Sequence, residues 1–216
     1  MTEESSLLTV GLAQIDCLLG DIAANLDTHL AWIAKARERG VELLVFPELS
    51  LTGYRLLHLT PRVALRADSP EVARLAAAAG GMAVVVGFVE EDERGVLHNS
   101  AVLLKDGEAA FVHRKIYLPT YGIFQDKRFF AAGHRLELAP GAFGGSRLGI
   151  LICEDLWHPQ LAARLAAAGA KLVVVISAGP GRIGSGAHPE SCEIWETLTR
   201  ATAIQNTCWV VYCNRV

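Results

Sequence analysis

Three reactive side chains follow strand-like runs of this sequence, and their types suit nucleophilic catalysis. Glu48, Lys115 and Cys153 each come directly after such a run. Open α/β sheets place their sites at the carboxyl ends of strands, so we expect the three side chains to converge if the strands lie side by side. A thiolate is the reactive form of cysteine, a carboxylate can take its proton, and an ammonium can stabilise the negative charge. The trio therefore predicts Cys153 as nucleophile, Glu48 as general base and Lys115 as charge stabiliser.

Each of these residues also has a simpler interpretation when it is taken alone. Cysteine is among the most buried residue types, so Cys153 in an apolar run is typical of a structural thiol. Glu48 alone fits a helix cap or a surface charge, and Lys115 alone fits a solvated strand end. Attack on an amide carbonyl would also need donors for the oxyanion, and Lys115 and the backbone N–H of Glu154 are the expected ones. The combination, and not any single residue, indicates a site.

Strand-like and helix-like runs alternate along the chain, which predicts an α/β domain with helices covering mostly buried strands. We predict one domain over 1–216, with Asp106-Gly107 as the turn of a hairpin and Pro159 as the start of a helix. The loops 118–136 and 177–189 are long enough to be functional. The predicted strands are 8–15, 42–46, 82–89, 100–105, 109–113, 147–152, 171–176 and 208–212. The predicted helices are 25–39, 71–79, 159–168 and 190–206.

Composition narrows the class of protein. The 216 residues are 51% hydrophobic and 20% charged, which is enough apolar surface for a folded core. The net charge of −3 argues against a nucleic acid or an anionic membrane as partner, and favours a small molecule or another protein. The start of the chain lacks the basic and apolar segments of a signal peptide, and no apolar run approaches the roughly 20 residues of a membrane span. We therefore expect a cytoplasmic protein.

The cysteines and histidines show no pattern of a disulfide framework or a metal site. The five cysteines are an odd number and are scattered, without the paired spacing of a structural zinc site. None of the seven histidines forms an i, i+4 pair or clusters with a cysteine. We predict reduced thiols and no metal.

Three segments resemble the signature blocks of the nitrilase superfamily of carbon–nitrogen hydrolases, in the order and at separations similar to that family's. They are VFPELSLTGY at 45–54, HRKIYLP at 113–119 and GILICEDLW at 149–157. Within the superfamily, LPTYGIF at 118–124, RFF at 128–130 and the CEDLW of the third block are similar to the glutaminase domains of glutamine-dependent NAD synthetases and to their free-standing relatives. The resemblance extends from Leu8 to Val216.

This resemblance implies a four-layer αββα sandwich, self-association into dimers or larger assemblies, and no metal or organic cofactor. It implies catalytic roles for Glu48, Lys115 and Cys153. By position it also implies that several residues line the substrate pocket, and the carboxylate next to the nucleophile could hold a substrate α-amino group. For the aromatic ones, ordinary core packing remains an equal alternative. The implied pocket residues are Tyr54, Tyr121, Glu154, Trp157, Ser177 and Arg182.

The chain departs from the family pattern at two places. In the loop after the lysine the family often has Phe-Asp-Glu, whereas this chain has Phe124-Gln125-Asp126, with a carboxylate one methylene shorter. We expect Asp126 to support Lys115 through a water molecule, or the activity to be weaker. Relatives also continue past Asn214-Arg215-Val216 with a further strand pair, which we expect this fold to lack.

Three functions remain open from the sequence. The first is an amidase-type hydrolase that releases ammonia or an amine from a small amide through a thioacyl-enzyme. The helix sequence ESCEIWE at 190–196 favours it, because it looks more like free-standing family members. The second is a glutaminase subunit that feeds ammonia to a separate partner similar to an NAD synthetase. The third is a non-catalytic binding or regulatory protein on the same scaffold.

Overall fold

The computed structural model of the chain describes residues 7–143, 145–181 and 190–216. Its strands are β1 (Val10–Leu12), β2 (Leu43–Val45), β3 (Ala83–Glu91), β4 (Leu97–Lys105), β5 (Glu108–Arg114), β6 (Ala139–Phe143), β7 (Ser146–Ile152), β8 (Ala170–Ser177) and β9 (Trp209–Asn214). Its α-helices are α1 (Ile22–Glu38), α2 (Pro70–Ala79), α3 (Asp126–Phe129), α4 (Pro159–Ala167) and α5 (Glu190–Asn206), and Leu57–Arg62 and Cys153–Trp157 are 3₁₀-helices.

The described strands form two sheets. Sheet A has the order β1-β2-β3-β4-β5, and sheet B has the order β6-β7-β8-β9. In sheet A, β1, β2 and β3 are parallel and the β3-β4-β5 meander is antiparallel. In sheet B, β7, β8 and β9 are parallel and β6 is antiparallel to β7. The candidate residues follow the C-terminal ends of these strands: Glu48 comes after β2, Cys153 after β7 and Ala178 after β8.

The two sheets pack face to face, and helices cover their outer faces. Alternate side chains of β2 show this arrangement: Leu43 and Val45 belong to a core shared by both sheets, while Leu44 packs into the core beneath α1 and α2. Sheet B alternates in the same way, with Val174 in the shared core and Val173 in the core beneath α4. Since strand side chains alternate with period two, runs that are apolar at every position are buried on both faces. The αββα sandwich implied by the sequence is confirmed.

Local signals placed several elements correctly. The predicted hairpin is β4–β5, and its turn residues Asp106 and Gly107 have φ of 53° and 81°. Pro159 begins α4 as expected. Gly80, with φ of 58°, ends α2. In each case the residue that decides the boundary acts through its own backbone geometry.

Other boundaries in the sequence analysis were wrong. The first helix begins at Ile22 and not at Asn25, because the carboxylate of Asp21 accepts from Ala24 N at 3.0 Å and caps it. The first strand covers only Val10–Leu12 of the predicted 8–15. β6 was not predicted, since Pro140 and Gly141 inside it are poor strand formers. The predicted loop 118–136 contains the short helix α3.

Helix α1 holds the segment that follows β2. Asn25 donates from Nδ2 to Leu51 O at 3.1 Å. His29 is buried, stacks near Phe46 with ring centroids 4.2 Å apart, and bonds through Nε2 to Ser50 Oγ at 2.9 Å. Burial lowers the pKa of His29 to about 4, even though its bond to the Asn25 carbonyl opposes the shift. The neutral imidazole is therefore part of the support of the loop around Glu48.

This buried histidine predicts a loss of stability in mild acid. An unfolded chain protonates His29 near its ordinary pKa of 6.5, whereas the folded chain resists protonation down to about 4. The contribution of His29 is complete above pH 6.5 and is lost as pH falls through this window. Relative to pH 7, the unfolding free energy falls by about 2 kcal/mol at pH 5 and by about 3 kcal/mol at pH 4. Urea denaturation at several pH values measures it.

The control is His29→Gln, which removes the titrating ring. Carboxylates elsewhere titrate in both proteins, so the difference between the two stability profiles isolates His29. Equal slopes between pH 6.5 and pH 4 in the two proteins would contradict the assignment.

Candidate active site

Glu48 lies in the turn after β2, where the chain passes close over β3. A Cβ at Gly87 would collide with the backbone of Pro47 and Leu49, so only glycine allows this approach. Glu48 is 2% exposed. Its Oε1 accepts from Asn99 Nδ2 at 2.8 Å, and its Oε2 accepts from Ala178 N at 2.8 Å. Partners from both sheets therefore fix the carboxylate.

Lys115 follows β5 and is 1% exposed. Its Nζ donates to Glu48 Oε1 at 2.7 Å and to Asp126 Oδ2 at 2.8 Å. Burial acts to lower the pKa of Lys115, but Glu48 first, and then the other neighbouring acidic groups, hold that pKa well above its usual value. The side chain is a buried ammonium between two carboxylates.

Asp126 contacts Lys115 directly, so the expected water bridge is wrong. The shorter side chain of Asp126 reaches the Lys115 ammonium because of where α3 begins. The backbone N–H of Asp126, its first residue, donates to Pro119 O at 3.1 Å, and this bond draws the backbone toward Lys115. The other carboxylate oxygen, Oδ1, accepts from Tyr54 OH at 2.9 Å. Burial, followed by Glu48 and Asp126, raises the pKa of Tyr54. Tyr54 thus supports the carboxylates, besides lining a neighbouring cavity of about 450 Å³.

Cys153 comes directly after β7, at the first residue of the 3₁₀-helix Cys153–Trp157. Its φ of 46° is unusual for a residue with a side chain, and such conformations cluster at functional sites. The residue is 6% exposed. Burial, followed by the charge of Glu48, raises the pKa of the Cys153 thiol, while Lys115 and Ser177 oppose the shift. The resting group is therefore a thiol, and its attack requires a base.

Ser177 ends β8 and contacts the sulfur. Its Oγ donates to Cys153 Sγ at 3.3 Å, and it accepts from Gly179 N at 3.1 Å. Asn214 holds Gly179 on both sides, with hydrogen bonds of 2.9 and 3.0 Å. The sequence implied a pocket-lining role for Ser177, and the structure places its hydroxyl against the candidate nucleophile.

Two of the implied pocket residues form a polar pair beside Cys153. Tyr121 OH donates to Glu154 Oε2 at 2.6 Å, and His158 Nε2 lies 3.7 Å from Glu154 Oε1. Burial and the bond to Glu154 raise the pKa of Tyr121. Tyr121 is 56% exposed and Trp157 is 42% exposed, so neither is an ordinary core residue. Arg182 lies outside the described residues.

Two polar residues of the site were missed in the sequence. Asn99 binds Glu48 through its side chain, and its carbonyl accepts from Lys115 N at 2.8 Å. Asp155 is fully buried and contacts the segment that follows Lys115. A signal for Asn99 existed, because 98–100 is a polar run inside an apolar strand. Among the described residues, no group of three or more His, Cys, Asp or Glu side chains is arranged to hold a metal ion, and no helix combines the length and apolar character for crossing a membrane.

The arrangement can perform covalent catalysis on an electrophilic carbon. A thiol, a carboxylate and a buried ammonium meet where strands of both sheets end. Glu48 and Lys115 are near enough to act on the pKa of Cys153. The polar pair of Tyr121 and Glu154 lies next to Cys153, because Glu154 follows it directly in the chain.

Comparison with known proteins agrees with this geometry. The family model for carbon-nitrogen hydrolases matches residues 9–216. The glutamine-dependent NAD(+) synthetase of Thermotoga maritima is 38% identical over 182 residues, which are 82% of this chain and 31% of that protein. The synthetase of the same name from Acinetobacter baumannii superposes with a TM-score of 0.82 at 31% identity, over 96% of this chain and 38% of the other. The chain thus spans about a third of the length of these relatives.

Amidases are also similar to this chain. An amidase from Nesterenkonia sp. superposes with a TM-score of 0.82 at 26% identity, over 98% of this chain and 77% of the amidase. In a mutant of the amidase from Nesterenkonia sp. AN1, the acetamide moiety of fluoroacetamide is covalently added at the active site cysteine. Fold, site geometry and matched residues lead to one conclusion: this chain belongs to the carbon-nitrogen hydrolase family of the nitrilase superfamily.

Proposed function

We propose that this chain hydrolyses the side-chain amide of glutamine and supplies the ammonia to a synthetase domain or subunit. The observation that carries the hydrolase part is the buried ammonium of Lys115 between Glu48 and Asp126, beside a thiol that needs a base. The names of the curated relatives support glutamine as the substrate and a synthetase as the recipient. They favour this function over that of a free-standing amidase, which the helix sequence at 190–196 indicates.

The proposed reaction begins with attack by the sulfur. Glu48 takes the Cys153 proton while Sγ bonds to the amide carbon, and Lys115 with the backbone N–H of Glu154 stabilises the oxyanion. Glu48 returns the proton to the leaving nitrogen, so that ammonia departs and a thioester remains. Glu48 then activates a water that attacks the thioester, which releases the carboxylic acid and restores the thiol.

The residues around the nucleophile support an amino-acid amide as substrate. The carboxylate of Glu154 follows Cys153 directly, and Tyr121 OH orients it at 2.6 Å. An α-ammonium group is its natural partner, since charge-assisted hydrogen bonds are the stronger ones. Glutamine carries such a group and simple aliphatic amides do not.

The first test is ammonia release from glutamine, asparagine, aliphatic amides, carbamoyl amines and nitriles. We expect glutamine to be the preferred substrate. Cys153→Ala should lower the rate by a factor on the order of 10³ or more, because the covalent route is lost. Cys208→Ala, a half-buried thiol away from the cluster, is the matched control and should keep the wild-type rate.

Three outcomes separate the alternatives. Release from aliphatic amides in preference to glutamine would favour a free-standing amidase. Release from glutamine only after a synthetase partner is added would mean that the partner activates the site. Failure of fluoroacetamide to label Cys153, together with no release from any compound, would contradict catalysis and favour a regulatory protein.

A second test addresses recognition of the α-ammonium. Glutaramic acid is glutamine without its α-amino group. We expect Glu154→Gln to lower kcat/KM for glutamine by about 10–100-fold, the value of a hydrogen bond to a charged group, and to leave glutaramic acid nearly unaffected. Parallel kinetics with both substrates measure the difference. An equal loss with both substrates would contradict a role of Glu154 in binding the ammonium.

The third test is the pH dependence of the thiol. Because the negative charge of Glu48 raises the pKa of Cys153, removing it in Glu48→Gln should lower that pKa, and the thiolate should appear at lower pH. Turnover should nevertheless be lost, since the general base is gone. Thiolate absorbance in the ultraviolet, with Cys153→Ala as the baseline, gives the titration. A thiol pKa that stays unchanged or rises would show that Glu48 does not act on the sulfur.

A further inference from the structure

A single buried carboxylate collects hydrogen bonds from both sides of the site. Asp155 is fully buried. Its Oδ1 accepts from the backbone N–H groups of Ile116 and Tyr117 at 3.0 and 2.9 Å. Its Oδ2 accepts from the backbone N–H of Ile152 at 3.1 Å and lies 3.2 Å from His113 Nε2. All four donors are within two residues of either Lys115 or Cys153.

These donors come from different sheets. Ile116 and Tyr117 continue β5 of sheet A, whereas Ile152 is the last residue of β7 in sheet B. Apolar side chains fill the space between the sheets, and apolar contact is non-directional, so it does not set the position of one strand end against another. The carboxylate of Asp155 supplies that direction at the place where Lys115 and Cys153 meet.

Asp155 also closes the turn that contains the nucleophile. The bond from Ile152 N to its carboxylate spans Cys153, whose φ is 46°. A residue other than glycine keeps such a conformation only when its surroundings enforce it. The same side chain therefore fixes both the backbone of Cys153 and the backbone next to Lys115.

We infer that Asp155 is a positioning residue that sets the geometry between the Lys115 ammonium and the Cys153 sulfur. This inference rests on the proposed catalytic roles of those two groups. Misplacing reacting groups by about 1 Å costs on the order of 100-fold in rate, so loss of the carboxylate should weaken catalysis far more than it weakens substrate binding.

A second buried carboxylate offers a matched control. Asp92 accepts from the backbone N–H groups of Arg94 and Val96, each at 2.9 Å, and lies 3.6 Å from His98 Nε2. Like Asp155, it accepts from two backbone N–H groups and lies beside a buried histidine, although it also forms ion pairs with Arg94 and Arg114 at 3.8 and 3.7 Å. Among its described contacts, none is with Glu48, Lys115, Asp126 or Cys153.

The experiment compares Asp155→Asn with Asp92→Asn. Peptide-level mass spectrometry follows modification of Cys153 by iodoacetamide, which carries an amide, and by methyl methanethiosulfonate, which does not. The ratio of the two rates cancels changes in thiol ionisation. The ratio retains the positioning benefit of a Lys115 that holds the amide oxygen of iodoacetamide while the sulfur displaces iodide from its methylene carbon. We expect Asp155→Asn to lower this ratio by about 10-fold or more, and kcat for glutamine to fall similarly with KM nearly unchanged. Asp92→Asn should leave the ratio unchanged.

His113 supplies a milder variant if Asp155→Asn does not fold. His113→Leu removes one of the four donors and should lower the ratio by about threefold, while His113→Gln keeps a donor and should restore it. Urea denaturation of every variant separates loss of fold from loss of position. A ratio that stays at the wild-type value in folded Asp155→Asn or His113→Leu would overturn the inference.

The labelling ratio does not depend on glutamine turnover. If the variants change the labelling ratio as expected but the wild-type protein does not hydrolyse glutamine, the proposed substrate is refuted and the role of Asp155 stands. If the wild-type protein hydrolyses glutamine but the variants keep the wild-type labelling ratio, the role of Asp155 is refuted and the proposed substrate stands.

Discussion

The structure of the site depends on the burial of one positive charge. Taking an ammonium out of water costs several kcal/mol unless its charge is compensated and its donors are satisfied. Lys115 meets this condition through two carboxylates, Glu48 and Asp126. Those carboxylates are in turn held by Asn99, the Ala178 N–H and Tyr54. Each member is costly to bury alone, so the cluster is stable only as a set.

This cluster explains why the site needs both sheets. Glu48, Asn99 and Lys115 come from sheet A or its ends, while Ala178 follows β8 of sheet B. The hydrogen bond from Ala178 N to Glu48 and the bonds to Asp155 are directional contacts between two sheets whose facing side chains are mostly apolar. The aliphatic core supplies most of the energy of packing, and these few polar contacts fix the alignment of the strand ends.

The sequence predicted the elements whose signals are local. Alternating and continuous apolar runs predicted the central strands, and turn residues such as Asp106 and Gly107 predicted the hairpin. The positions of Glu48, Lys115 and Cys153 after strands were also visible, because a strand end is a local feature. The resemblance to a family added the αββα arrangement, which periodicity alone does not specify.

What the sequence could not show depends on contacts between distant residues. Asn99 bonds to Glu48 across 51 positions, and Asp155 bonds to Ile116 across 39. The direct contact of Asp126 with Lys115 depends on where α3 begins, which side-chain length does not reveal. Likewise, β6 exists because β7 offers it a partner, although its own residues disfavour a strand.

The division of the site between the sheets has a consequence for biosynthesis. Glu48 and Lys115 leave the ribosome well before Cys153, and the Ala178 amide follows later still. Before β7 and β8 join the sandwich, Lys115 stays solvated because the buried site does not yet exist, and the Cys153 sulfur does not yet lie near Glu48. If the proposed roles hold, a nascent or partly assembled chain does not react with the amides around it. With the proposed catalytic roles, reactivity appears only when both sheets are assembled, so folding itself keeps Cys153 unreactive until that point.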